Sequence, residues 1–227
     1  MKKHHKINNN QAGNVLFLIL IAIALFGMLT AIISHSGQQQ KDSLDRQTMD
    51  SQVSIMINHV AALNSSILQM VMHGEDPSEL YQNLSTLKAG DTGFETPPHK
   101  TKIYHPLGGG ISYLSASSND LDKAVAVDFD INTTSIITGI GKTDEDIGDI
   151  IFTAKIISAD YCAFINNKIT GSRNIPEMSN SAFEDLFNNR TITINSGNCA
   201  NCVNIGRICV RNSANNAWGF YASLFPG

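Results

Sequence analysis

The sequence predicts an α+β fold: a long N-terminal helix, transmembrane and then amphipathic, packed on an antiparallel β-sheet domain stapled by disulfides. Three observations predict it. Val15 to Ile33 is an uncharged run of nineteen residues, VLFLILIAIALFGMLTAII, behind a polar leader, MKKHHKINNNQAGN. Beyond it, apolar residues recur at helical spacing as far as Val71. Further on, short alternating segments, turn residues and four cysteines replace the helical pattern.

At ~1.5 Å rise per residue the apolar run spans roughly 28 Å, close to the ~30 Å hydrocarbon core of a bilayer. Its hydroxyl, Thr30, can hydrogen-bond back to its own helix. Lys2, Lys3 and Lys6 precede the run, whereas Lys41 and Arg46 beyond it are offset by Asp42 and Asp45. The positive-inside bias puts the N-terminus in the cytoplasm and everything after Ile33 outside. A secretory signal carries an apolar stretch of ~7–15 residues, so the longer run favours a retained anchor. Ser34-His35-Ser36 offers a small-x-small pattern, which leaves cleavage before Gly37 open. The chain divides into a basic leader (1–13), a transmembrane helix (14–34), an amphipathic stalk helix (35–73) and an extracytoplasmic α+β domain (74–227).

The net charge of −4 is spread without blocks, so nothing argues for nucleic acid or an acidic membrane surface as a partner. Aromatic residues make up only 7 %, while Asn, Ser, Thr and Gly are plentiful, which suits a β-rich secreted domain with polar turns.

The segment QAGNVLFLILIAIALFG resembles the N-termini of type IV pilin-like proteins and the pseudopilins of type II secretion. More narrowly, it resembles bacterial membrane proteins that share a G-N-x-L-F-L-I-L-I-A start. The resemblance covers residues 11–36. It implies a bacterial inner-membrane protein with its C-terminal domain periplasmic or extracellular, a leader cleaved between Gly13 and Asn14, and assembly with other pilin-like subunits. Two departures stand out. The fifth mature position, normally Glu, is Leu18, and the first, normally apolar, is Asn14. In pilins the Glu pairs with a neighbour's N-terminal amine, so a subunit lacking it implies a filament tip, another non-repeating position, or a bitopic protein never cut at Gly13.

In the stalk, Met49, Val53, Met56, Val60, Leu63, Ile67 and Val71 form a narrow helical stripe. No proline occurs from Met1 to Asp76, and Gly74 provides the stop. One continuous helix is expected, its stripe packed inside its own chain. The same spacing fits about three heptads of a membrane-proximal coiled-coil dimer.

Asp76-Pro77-Ser78-Glu79 reads as a helix start, with the helix passing through Leu80, Leu84 and Leu87 to Gly90. Residues 91–110, with Pro97, Pro98, Pro106 and Gly108 to Gly110, read as loop. Strands are expected at Ile111–Ser115 and Ala124–Ile131, with Ile136–Ile140 as hairpin partner of the latter after a turn at Asn132-Thr133-Thr134. Ile150–Ile157 fits strand or helix. Ser158 caps a helix through Tyr161, Cys162, Ile165 and Ile169, and a short helix follows over Ser181–Asn188. Strands near Thr191–Asn195, Arg207–Arg211 and Ala217–Phe225 complete an α+β pattern.

Cys162, Cys199, Cys202 and Cys209 in an extracytoplasmic domain read as two disulfides, with three connectivities open. The Cys199–Cys202 CxxC also raises a redox dithiol or a zinc site completed by Cys209 and either Cys162 or a histidine. Its loop context and the oxidising compartment favour structural bridges.

Other constellations are weaker. Gly139-Ile140-Gly141-Lys142-Thr143 lacks the first glycine of a phosphate loop, which falls on Ile136. Asp128, Asp130 and Asn132 have the spacing that opens a calcium loop, but Thr133 and Gly139 occupy the places of its glycine and glutamate. On a strand those three share one face, expected to be the solvent side. The cluster Asp144, Glu145, Asp146 and Asp149 reads as a solvated loop or a calcium turn. Of the seven histidines (4, 5, 35, 59, 73, 99 and 105), only His99 and His105 could approach each other. No nucleophile is paired with a base and an acid. No catalytic residue, cofactor, metal ligand or small-molecule substrate is identified, and the chain is not expected to be an enzyme.

Overall fold

A computed structural model describes residues 12–76, 79–80, 84–115, 117, 121, 123–126, 129–141 and 148–225, with residues 12–14 and 31–44 as backbone alone. Helix α1 (Ala12–Met72) is followed by strands β1 (Asp130–Ile137) and β2 (Asp149–Ile156) and helix α2 (Ala159–Thr170). Then come β3 (Glu177–Met178), helix α3 (Asn180–Phe187), β4 (Thr193–Ile194), β5 (Arg207–Asn212) and β6 (Trp218–Phe225). The chain divides into two compact units, Met1–Thr48 and Met49–Gly227. The first unit's described residues all belong to α1.

In the second unit the stalk stripe becomes core. Val53, Met56, Val60, Leu63 and Ile67 are buried and join one cluster with Phe152 and Phe220 of the sheet. Met70, three residues after Ile67, is buried as well, while the expected Val71 is partly buried against the same cluster. The stripe is thus consumed inside its own chain. Polar contacts align the helix: Gln52 accepts from the Tyr161 hydroxyl, Lys168 donates to Asp50 and to Ser54 Oγ, and the Asn64 amide donates to Leu224 O. Gly74 ends the helix in the left-handed conformation (φ +97°), with Gly74 N donating to Val71 O and Glu75 N to Met70 O.

The sheet has the order β3-β5-β6-β2-β1-β4. Its four long strands are antiparallel, but β3 runs parallel to β5 and β4 parallel to β1. The sheet is therefore mixed, not wholly antiparallel as expected. A parallel neighbour requires a long crossover, and the chain supplies one by passing through β2, α2, β3 and α3 between β1 and β4.

Several local expectations fail. Asn132-Thr133-Thr134 does not reverse the chain: Asn132 Oδ1 accepts from Thr134 N (2.9 Å) and Ser135 N (3.0 Å), which folds a bulge into β1. The strand continues to Ile137 and pairs with β2, so Ile136–Ile140 is not the partner of Ala124–Ile131. Within that segment β1 begins only at Asp130, and Val125 meets the sheet through a lone bridge to Ile156. Ile111–Ser115 is not a strand. The helix expected through Leu87 is helical at Glu79–Leu80, and Leu84 already lies outside it. Ser85 is captured instead by Thr101 and Ile103 in a parallel bridge. Pro77 and Ser78 of its start lie outside the described residues.

Both faces of the sheet are covered. Ile150, Phe152, Ala154 and Ile156 enter the α1-side core, while Ile151 enters a second core with Phe183 and Leu186 of α3. On β6, Phe220, Ala222 and Leu224 face the first core and Tyr221 the second. This resolves Ile150–Ile157 as a strand: buried on both sides, it shows no alternation. Ser158 caps α2 as expected by accepting from Tyr161 N, and Gly171 (φ +77°) closes it.

Candidate functional site

The first candidate surface is the apolar start of α1. From Val15 to Leu29 twelve large apolar side chains are exposed, from 41 % at Ile21 to 71 % at Phe26. Thr30 donates to Phe26 O and Gly27 O, both at 2.9 Å, so the segment presents no unpaired hydroxyl. Asp45–Met72 of the same helix is long and apolar enough to cross a membrane by length and composition. Its apolar stripe already lies in the protein core, which leaves Val15–Thr30 as the stretch whose apolar surface is uncovered. An apolar surface of this extent marks a contact with lipid or protein. Gly13 and Asn14 lie within α1, leader residues 1–11 lie outside the described residues, and Leu18 is 61 % exposed.

The cysteines pair Cys162 with Cys209 and Cys199 with Cys202, their Cα atoms 5.4 and 5.3 Å apart. The first pair ties α2 to β5 in the α1-side core, and the second sits in the core on the opposite face. The sheet therefore separates the thiols that a zinc site would have to gather. Cys199 and Cys202 lie in the loop between β4 and β5, where Cys199 N donates to Asn195 O and Cys202 N to Cys199 O. That loop setting lacks the helix N-terminus that activates a redox dithiol.

The calcium spacing dissolves in the fold. Asp130 is exposed and accepts from Ile131 N, but Asn132 is fully buried, not on a solvent face. Its amide donates to Leu186 O and Arg190 O beneath α3, because the bulge turns it inward. Asp149, expected in a solvated loop or calcium turn, is 2 % exposed and accepts from Ile137 N at 2.7 Å. Asp128, Lys142, Thr143, Asp144, Glu145 and Asp146 lie outside the described residues. Among the described residues no group of three or more His, Cys, Asp or Glu could hold a metal ion.

Residues 91–110 form the expected loop, and its chemistry is concentrated. The Lys102 ammonium, 5 % exposed as a residue, donates to Gly93 O (2.6 Å), Phe94 O (2.8 Å) and Thr96 O. Three carbonyls match its three protons. His99 and His105 come together as the sequence suggested, their rings stacked at 4.0 Å and 8°. His105 Nδ1 accepts from Leu107 N at 3.1 Å, so the Nε2 proton faces Glu95 at 3.6 Å. Beside the pair an open groove of about 520 Å³ runs between Glu79 and the Gly93–Lys102 segment. Lys100 at its rim pairs with Glu75 at 2.9 Å, and that hydrogen bond raises the lysine pKa.

No protein-family model, curated protein or solved structure matches this chain. Its chemistry rests on the residues themselves. What these arrangements offer is an uncovered apolar helical segment and a disulfide-stapled α+β domain.

Sequence reading missed the buried polar side chains. Lys102, Asn132, Asn166 and Asp149 are each 5 % exposed or less, and each satisfies backbone groups rather than a ligand. Single buried polar residues leave no periodic trace, so only the fold reveals them.

Proposed function

We propose that this chain is a pilin-like or pseudopilin-like subunit of a type IV pilus or type II secretion-type filament, assembled through its N-terminal hydrophobic helix. It sits in the bacterial inner membrane with its N-terminus cytoplasmic and its folded domain periplasmic or extracellular. The observation that carries this reading is the exposed apolar segment Val15–Thr30 opening a long helix directly behind a Gly13–Asn14 junction. Lateral packing against neighbouring helices would use Ala22, Ala24 and Gly27, whose small side chains allow close approach. The buried stripe from Val53 to Met70 packs the second half of α1 into the folded domain.

Leu18, in place of the assembly glutamate, favours a second reading: a single-pass membrane-anchored periplasmic binding or sensor domain that forms no filament. One measurement separates them. Intact mass after expression with a prepilin peptidase is expected to show loss of residues 1–13; Met1 retained overturns the filament reading and leaves the bitopic one.

A further inference from the structure

The His99–His105 stack has no part in the proposed assembly, yet it lies where a loop is fastened to the domain. The loop closes through Lys102 N to His99 O, Gly109 N to Lys102 O, and Ser66 Oγ to Gly109 O. It is also bridged to Ser85 through Thr101 O and Ile103 N. Gly108 and Gly109 press against backbone: a Cβ would lie 2.3 Å from Lys102 O and 2.3 Å from Ile103 O respectively. His105 Nδ1 completes the clamp by accepting from Leu107 N.

We propose that the stacked His99–His105 pair is an acid-sensitive latch that holds the 93–110 loop against the domain and releases it when His99 takes up a proton. The geometry allows few protons. A proton on His99 would place charge against the neighbouring imidazole and near the Lys102 ammonium. His99 Nδ1 is shielded from solvent with no hydrogen-bond partner. Burial, then His105 and Lys102, lower the His99 pKa, while Glu95 and a hydrogen bond to the Phe94 backbone oppose this. The other charged groups around the loop are Asp91, whose carboxylate accepts from Lys88 N, and Lys100 with Glu75 and Glu79. The linkage sign follows from the lowered pKa. The open loop binds the His99 proton more readily than the closed one, so closure is favoured at neutral pH and weakens as pH falls below the ordinary imidazole range near 6.5.

Hydrogen exchange on the full chain in detergent micelles tests this, with each rate corrected for its intrinsic pH dependence. Between pH 7.5 and 5, protection of the Ser85, Ile103 and Gly109 amides should fall several-fold relative to the β2 and β6 amides, because the open loop gains a proton that the closed loop resists. His99→Phe keeps a ring in the stack and removes the titration, so its protection should stay flat. An unchanged wild-type profile, or an equal fall in His99→Phe, overturns the latch. If His99→Phe does not fold, NMR titration of the wild-type imidazoles decides: His99 must titrate below the ordinary range together with loss of the loop amides. Titration at the ordinary value overturns the proposal.

Discussion

Asn166 grips the Cys209 backbone on both sides of its Cα: the asparagine amide donates to Cys209 O and its carbonyl accepts from Cys209 N, each at 2.8 Å. One side chain thus imitates a neighbouring strand on the edge of β5, where β3 pairs only as far as Arg211 and Asn212. The same amide also donates to Asn174 O. One turn earlier on α2, Cys162 is joined to Cys209. Helix and strand are therefore tied at a single residue by a covalent link and two hydrogen bonds.

Asn166→Ala should destabilise the domain by about 2–3 kcal/mol, because it strands a buried N–H and leaves two carbonyls short of a donor. Asn166→Asp should be at least as costly, since a carboxylate would face the Asn174 and Cys209 carbonyls. Urea denaturation monitored by circular dichroism checks both, and a change within about 0.5 kcal/mol, the range of ordinary surface substitutions, would refute the strand-mimic role.

Cys162→Ser opens a loop with a sequence separation of 47 residues. In the chain-entropy model that is worth on the order of 3–4 kcal/mol, so the melting temperature should fall clearly. Cys199→Ser opens a separation of only 3 residues and should cost less. Non-reducing peptide mapping is expected to recover Cys162 linked to Cys209.

His59 lies against Phe129 and Phe152, with ring centroids 6.0 and 6.3 Å away. Burial lowers its pKa to about 4, and its Nε2 has no hydrogen-bond partner. The unfolded chain takes up the proton near 6.5, so the domain is at full stability above that pH and loses stability as pH falls toward 4. Denaturation midpoints between pH 7 and 4.5 should follow this course. His59→Phe should flatten the part of the slope that His99 and the carboxylates do not supply.

Gly109→Ala should loosen the 93–110 loop at every pH, because a Cβ there would meet Ile103 O at 2.3 Å and Ser66 Oγ at 2.4 Å. Limited proteolysis is expected to cut the variant's loop faster than the wild type's. Gly27→Ala, whose Cβ meets nothing within 4 Å, serves as the control.

Leu18→Glu places a carboxylate in the apolar segment at about 2.5–3.5 kcal/mol on insertion scales unless a partner group meets it. In an assembled subunit it should be tolerated, and in a plain anchor it should lower membrane yield. Quantitative membrane fractionation with and without the assembly machinery distinguishes the outcomes.

Much was legible in the chain because it rests on repeats and local chemistry. The long helix, its buried stripe, the Gly74 stop, the Ser158 cap and the strands near 207 and 218 are written in residue spacing that water enforces and in local capping chemistry. Tertiary structure decided the rest. Asn132 became a bulge because the Leu186 and Arg190 carbonyls bind its amide, and Ser85 left its expected helix because Thr101 and Ile103 offered backbone partners. The parallel edge strands, the cysteine pairing and the histidine stack likewise join residues far apart in the chain or brought together by a loop. Local spacing carries no record of such partners, so their geometry exists only once the sheet has formed.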